Sequence, residues 1–161
     1  MSAVEFWNGK VHMNLCKYFS LAILIFIIDR ISKIVALRWC ADAACTINQY
    51  LSFEVTLNRG ISWGMLHQTT DTTFVLVSFV ITTITALLCW DAYRNYVRNK
   101  SIVGHVIIIT GSVCNLIDRA LYGGVIDFII LSYNRYSWPV FNVADMAIVC
   151  GVLILIFVDE K

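Results

Sequence analysis

Four long apolar stretches constrain this chain more than any other feature in it. They run over residues 18–37, 72–90, 101–116 and 143–158. A helix needs about 20 mostly apolar residues to cross a bilayer, and each stretch comes near that length. Hydrophobic residues make up 59% of the 161 and charged residues 14%. In water such a chain would expose larger apolar patches than soluble proteins tolerate. The expected fold class is an all-α membrane protein: one domain over residues 1–161, with four transmembrane helices.

Lys and Arg in the flanks set the orientation. Lys10 and Lys17 precede the first stretch, Arg94, Arg98 and Lys100 crowd the link between the second and third, and Lys161 ends the chain. Both termini and residues 91–100 are therefore expected in the cytoplasm, with 39–71 and 119–140 on the other side. Trp39, Trp90 and Trp138 fall at expected helix ends, as interfacial anchors do. Lys10 and Lys17 followed by "YFSLAILIFII" also look like a cleavable signal peptide. "DRISK" follows where a small-residue cleavage site would stand, so a retained helix is expected.

The outer connections are more than tethers. In "YLSFEVTLN", Leu51, Phe53, Val55 and Leu57 alternate with Ser52, Glu54, Thr56 and Asn58, the pattern of a half-buried strand. "YGGVIDFIILSY" is rich in β-branched and aromatic residues and reads as a short strand or interfacial segment. Together they predict a small extracytoplasmic β-platform. Cys40 and Cys45 lie together outside the apolar stretches, and their spacing alone leaves a disulfide open. Three scattered histidines give a metal site little support, and a net charge of +1 gives no reason to expect nucleic acid.

Ionisable residues in or beside apolar helices are costly, so each is a functional candidate. Asp29 and Lys33 stand four apart, close enough on a helix to form an ion pair that locks the first helix to its neighbours. The alternative is that Lys33 reaches outward to a substrate or a lipid headgroup. Asn115, Asp118 and Arg119 share one helix face, and Asp118 and Arg119 are placed to neutralise each other. Asn142 followed by Asp145 is the pattern of a helix N-cap with a dipole-stabilised acid. Asp127, between Ile126 and Phe128, has no basic neighbour and is costly to bury. Two carboxylates brought close in a poorly hydrated place share a proton and activate water, one as base and the other as acid.

At this point the sequence resembles the lipoprotein signal peptidase family, also called signal peptidase II. The resemblance rests on "IDRISK", "EVTLNRGISWGML", "NLIDR", "VIDF" and "FNVAD", in the family's order and near its spacing, over nearly the whole chain. It implies a four-helix aspartic protease of the bacterial inner membrane with its active site at the extracytoplasmic face. Such a protease removes the signal peptide from diacylglyceryl-modified prolipoproteins, cutting before the lipidated cysteine. The implied catalytic pair is Asp127 and Asp145. Asn58, Gly60, Asn115, Asp118, Arg119 and Asn142 match supporting or substrate-contacting positions, and Asp29 and Lys33 match the charged pair of the first helix. No metal or cofactor is implied; the partners are the prolipoprotein and membrane lipid, and a monomer is expected. Two departures stand out: Cys114 before Asn115, where the family favours small residues, and Ile61, Ser62 and Trp63 after "LNRG". Residues 58–68 are expected to cover the site.

Two other functions suit the same composition. A proton-relay or transport subunit would use Asp29, Asp118, Asp127 and Asp145 along a path through the bilayer. A non-catalytic assembly factor would bind lipidated protein without cutting it.

Overall fold

The structure is a computed structural model that describes the backbone over residues 3–60 and 70–157, and side chains from Leu15 onward. The chain runs α1 (Ala3–Trp39), β1 (Cys45–Thr46), β2 (Leu51–Asn58), α2 (Asp71–Val97), α3 (Val103–Tyr122), β3 (Val125–Tyr133), β4 (Tyr136–Ser137) and α4 (Val143–Phe157). Each apolar stretch falls mostly within one helix over the described residues, but several helices outrun the expected bounds. The first helix begins at Ala3 rather than residue 18, and the second continues to Val97 rather than 90. Trp90 therefore lies inside α2 and not at its end. The third continues to Tyr122 instead of stopping at 116, because the polar groups of "NLIDR" find partners in the protein.

The helices are arranged inside out relative to a soluble bundle. Phe19, Phe79, Leu87 and Val149 are exposed, while Asp29, Lys33, Asp118, Asp127 and Asn142 are buried. A bilayer favours that distribution, since lipid solvates the apolar rim and polar groups must find partners inside. Among the described residues two helices, α2 and α3, are long and apolar enough to cross a membrane. The described part of α4 is apolar over 15 residues, and the apolar stretch of α1 is interrupted by Asp29, Arg30 and Lys33.

Helix α3 is the hub and packs against α1, α2 and α4. Glycines let α3 and α4 approach closely. A Cβ on Gly111 would lie 2.6 Å from the Ala144 carbonyl oxygen and 2.9 Å from Ile148 Cγ1. Gly111→Ala is therefore expected to lower stability by about 1–3 kcal/mol through overpacking. Thermal unfolding in detergent checks this; an unchanged midpoint would mean that the two helices part without cost.

The four strands form one antiparallel sheet in the order β1-β2-β3-β4. Helix α3 ends where Gly123 takes a left-handed φ of 70° and its N–H caps the Arg119 carbonyl. That turn sends the chain directly into β3. The pairing of β2 with β3 shifts by one residue between Phe53 and Thr56, a β-bulge. The strict alternation expected for β2 therefore fails. Beyond the bulge Leu57 is exposed and Asn58 turns toward the protein. Thr56 pairs with Asp127, so Asn58 and Asp127 share one face of the sheet. The thiols of Cys40 and Cys45 are free, and the Cys45 Sγ donates to the Trp39 carbonyl at 3.2 Å.

Candidate active site

The site forms where β3 and α4 begin and α3 nears its end. Helix α4 opens on a reciprocal cap. The Asp145 N–H donates to Asn142 Oδ1 at 2.9 Å, and the Asn142 N–H donates to Asp145 Oδ2 at 3.1 Å. This is a capping box, so the helix-start reading of these two residues holds in full. Asn142 does more than cap. Its Nδ2 donates to Asp127 Oδ1 at 2.6 Å and to Asn115 Oδ1 at 3.2 Å. One fully buried asparagine thus touches both carboxylates of the expected pair.

Two further amides hold the pair from outside. Asn58 Nδ2 donates to Asp127 Oδ2 at 2.8 Å, and Asn115 Nδ2 donates to Asp145 Oδ1 at 2.8 Å. Each amide is oriented by its other end. Asn58 Oδ1 accepts the Gly60 N–H, and Asn115 Oδ1 accepts from Lys33 Nζ, a group that can only donate. Asp127, a residue without a basic neighbour in sequence, thereby has a donor at each of its oxygens. Burial pushes its carboxyl up to about 7, and the nearby Asp145 acts in the same direction. The donors from Asn58 and Asn142, and the charge of Lys33, oppose the rise without cancelling it.

The expected Asp118–Arg119 pair does not form. Asp118 faces α1 and takes Lys33 Nζ at 2.6 Å and Arg30 Nη1 at 2.7 Å. Arg119 instead donates to the carbonyls of Arg59 at 3.2 Å and Gly60 at 2.7 Å. Its guanidinium, like that of Arg59, lies against the Phe74 ring. It therefore clamps the chain where β2 ends. Lys33 does not reach outward. It is 2% exposed and pairs with Asp29 at 3.1 Å as well as with Asp118. Arg30 escaped the sequence reading, although it adds a third charge to an apolar stretch, which is signal enough to single it out.

Asp127 and Asp145 both line a cavity of about 660 Å³ between α2, α3 and α4. Asn58, Asn115, Arg119, Asp127 and Asp145 form its polar end, and side chains such as Val80, Ile84, Leu88, Val152 and Leu155 form the apolar remainder. Asp29, Lys33 and Asp118 lie behind this wall and do not line it. Of residues 58–68, expected to cover the site, 61–68 lie outside the described residues, Ile61, Ser62 and Trp63 among them. Among the described residues no cluster of His, Cys, Asp and Glu is arranged to hold a metal.

Comparison with known proteins gives this arrangement a family. A family model described as signal peptidase (SPase) II matches residues 21–159. A lipoprotein signal peptidase of Rickettsia akari is 37% identical over 152 residues, covering 91% of this chain and 76% of that one. Another, from Anaplasma marginale, is 34% identical over 134 residues, covering 81% of this chain and 76% of the relative. Among solved structures, a bacterial membrane enzyme determined by the in meso method superposes with a TM-score of 0.68 at 25% identity, over 87% of this chain and 85% of the other. With a family model spanning most of its length and relatives above one third identity, the chain belongs to the signal peptidase II family and is a membrane protease.

Proposed function

We propose that the protein is an aspartic endopeptidase that removes the signal peptide from diacylglyceryl-modified prolipoproteins, cutting just before the lipidated cysteine. The observation that carries this reading is the bridge made by Asn142, which hydrogen-bonds Asp127 and Asp145 at the polar end of an otherwise apolar cavity. Asp127 and Asp145 hold the attacking water between them. Asp145, in the capping box at the start of α4, removes a proton from the water as it attacks the scissile carbonyl. Asp127, protonated below about pH 7, donates its proton to the carbonyl oxygen; as the tetrahedral intermediate collapses, Asp145 passes the proton taken from water to the leaving amine and Asp127 takes its proton back from the diol, which restores the starting state. Asn58, Asn115 and Asn142 fix the carboxylates in place, so little reorganisation accompanies the reaction. Arg119 and Gly60 shape the entrance beside β2.

In this reading all four helices span the bacterial inner membrane, with both termini cytoplasmic and the sheet on the extracytoplasmic face. The apolar part of the cavity, open between α2 and α4, suits the lipid-embedded part of the substrate, and one copy of the chain supplies the whole dyad. The four acids Asp29, Asp118, Asp127 and Asp145 gather in one region, and Asp29 and Asp118 are held in ion pairs. That grouping favours a single catalytic centre over a proton path.

The test uses purified protein in detergent with two forms of one precursor, with and without the diacylglyceryl group. Cleavage of the modified form only, before its cysteine, is expected. Equal cleavage of both would remove lipid recognition from the proposal, and binding without cleavage would replace the enzyme with a binder.

The Asp127 proton also predicts the pH dependence. Because its carboxyl titrates at about 7, the acid is in place below that pH and lost above it. With saturating precursor, kcat is expected to fall by about tenfold per pH unit on the alkaline side. A rate that rises through pH 7 would make Asp127 the base instead.

A further inference from the structure

Asp29 and Asp118 are both fully buried, and each takes hold of the backbone one residue ahead of an aspartate of the dyad. Asp29 Oδ1 accepts the Ala144 N–H at 3.1 Å, and Ala144 precedes Asp145. Asp118 Oδ2 accepts the Ile126 N–H at 3.4 Å, and Ile126 precedes Asp127. The Ala144 N–H belongs to the first turn of α4, where no carbonyl of the helix can accept it, so a carboxylate there is doubly favoured.

Arg30 joins these two carboxylates. Its Nη1 donates to Asp118 Oδ1 at 2.7 Å, its Nη2 to Asp29 Oδ2 at 2.6 Å and its Nε to Asp29 Oδ2 at 3.2 Å. Nη2 also reaches the Cys114 carbonyl at 3.1 Å, immediately before Asn115. Lys33 bridges the same carboxylates, but as a point charge. The guanidinium is a planar fork whose nitrogens lie at fixed separations, so it sets a distance where an ammonium only neutralises. Its ring contact with Phe26, with the guanidinium carbon 5.8 Å from the ring centroid, holds the fork from the other side.

We infer that Arg30 is a positioning residue for the dyad: by spanning Asp29 and Asp118 it fixes the spacing of the backbone segments that carry Asp145 and Asp127. The inference rests on the proposed dyad. Arg30 does not line the cavity, so its loss changes the alignment of the carboxylates and leaves the substrate surface intact. Misplacement by a fraction of an ångström weakens the chemical step more than binding.

The experiment compares the full-length parent with Arg30→Gln, Arg30→Lys and Asp127→Asn, using purified protein in detergent and the diacylglyceryl-modified precursor. Arg30→Gln is expected to lower kcat by about 10- to 100-fold with KM within about twofold of the parent, and Arg30→Lys to fall between them. The thermal midpoint of each variant is read alongside. Parent-level kcat in Arg30→Gln, with Asp127→Asn inactive, would overturn the role of Arg30 and leave the dyad standing. Full activity in Asp127→Asn would overturn the dyad instead. If Arg30→Gln does not fold, Arg30→Lys decides: a lowered kcat at unchanged KM and midpoint supports positioning. Parent kcat, or losses in kcat that track the midpoint in both variants, would reduce Arg30 to a structural ion pair.

Discussion

Asp127→Asn and Asp145→Asn are each expected to reduce cleavage by about 10⁴-fold, and the double variant to be no worse than either alone. Both side chains act in one step, so removing one removes the use of the other. Asp127→Asn deletes the proton donor. It also turns an amide nitrogen toward one of the donors from Asn58 and Asn142, which now face oxygens. Asp145→Asn deletes the base and weakens the cap on α4, since Asp145 Oδ2 accepts the Asn142 N–H. The second variant should therefore also lose about 1 kcal/mol of stability, the usual worth of a cap. Steady-state cleavage for the three variants, together with thermal unfolding, checks both parts. Additive losses in the double variant would mean that the two carboxylates act in separate steps.

Lys33→Met is expected to be the most destabilising single change, at about 3–5 kcal/mol, because it leaves buried carboxylates under-compensated. The ammonium contacts Asp29, Asp118 and the Asn115 amide oxygen. Without it, Arg30 alone faces two negative charges, and Asn115 Oδ1 loses one of its two donors, keeping only Asn142 Nδ2. A drop in melting temperature on the order of 10 °C follows. The combination Lys33→Met with Asp118→Asn should recover part of that loss, since the remaining charges of Asp29 and Arg30 balance. Two losses that simply add would show that the charges are not coupled.

The parts legible in the sequence are those written in short-range patterns. Apolar length located the helices, and "FNVAD" disclosed a helix start through Asn142 and Asp145. Two strands could be read in outline from alternation and β-branched content. What stayed hidden depends on pairing between distant segments. The bulge in β2 leaves no local mark, because register is decided by the partner strand, and it inverts the side on which Thr56 and Asn58 stand. Sequence proximity pairs Asp118 with its neighbour Arg119, yet its charged partners lie on α1, 88 positions away in the case of Arg30. Helix geometry sends adjacent residues to different faces, so Asp118 and Arg119 separate, one to the buried cluster and one to the Gly60 carbonyl. Helices α2 and α3 also run past residues 90 and 116, because the polar Asp91, Asn95 and Asp118 that follow are all hydrogen-bonded in place.

The most direct measurement is product analysis with the diacylglyceryl-modified precursor in proteoliposomes, comparing the parent, Asp42→Asn on the exposed loop before β1, Asp127→Asn and Asp145→Asn. The account predicts that the parent and Asp42→Asn release a lipidated product whose mass begins at the modified cysteine, while both dyad variants leave the precursor intact. Release of that product by either folded dyad variant at the parent's rate would contradict it.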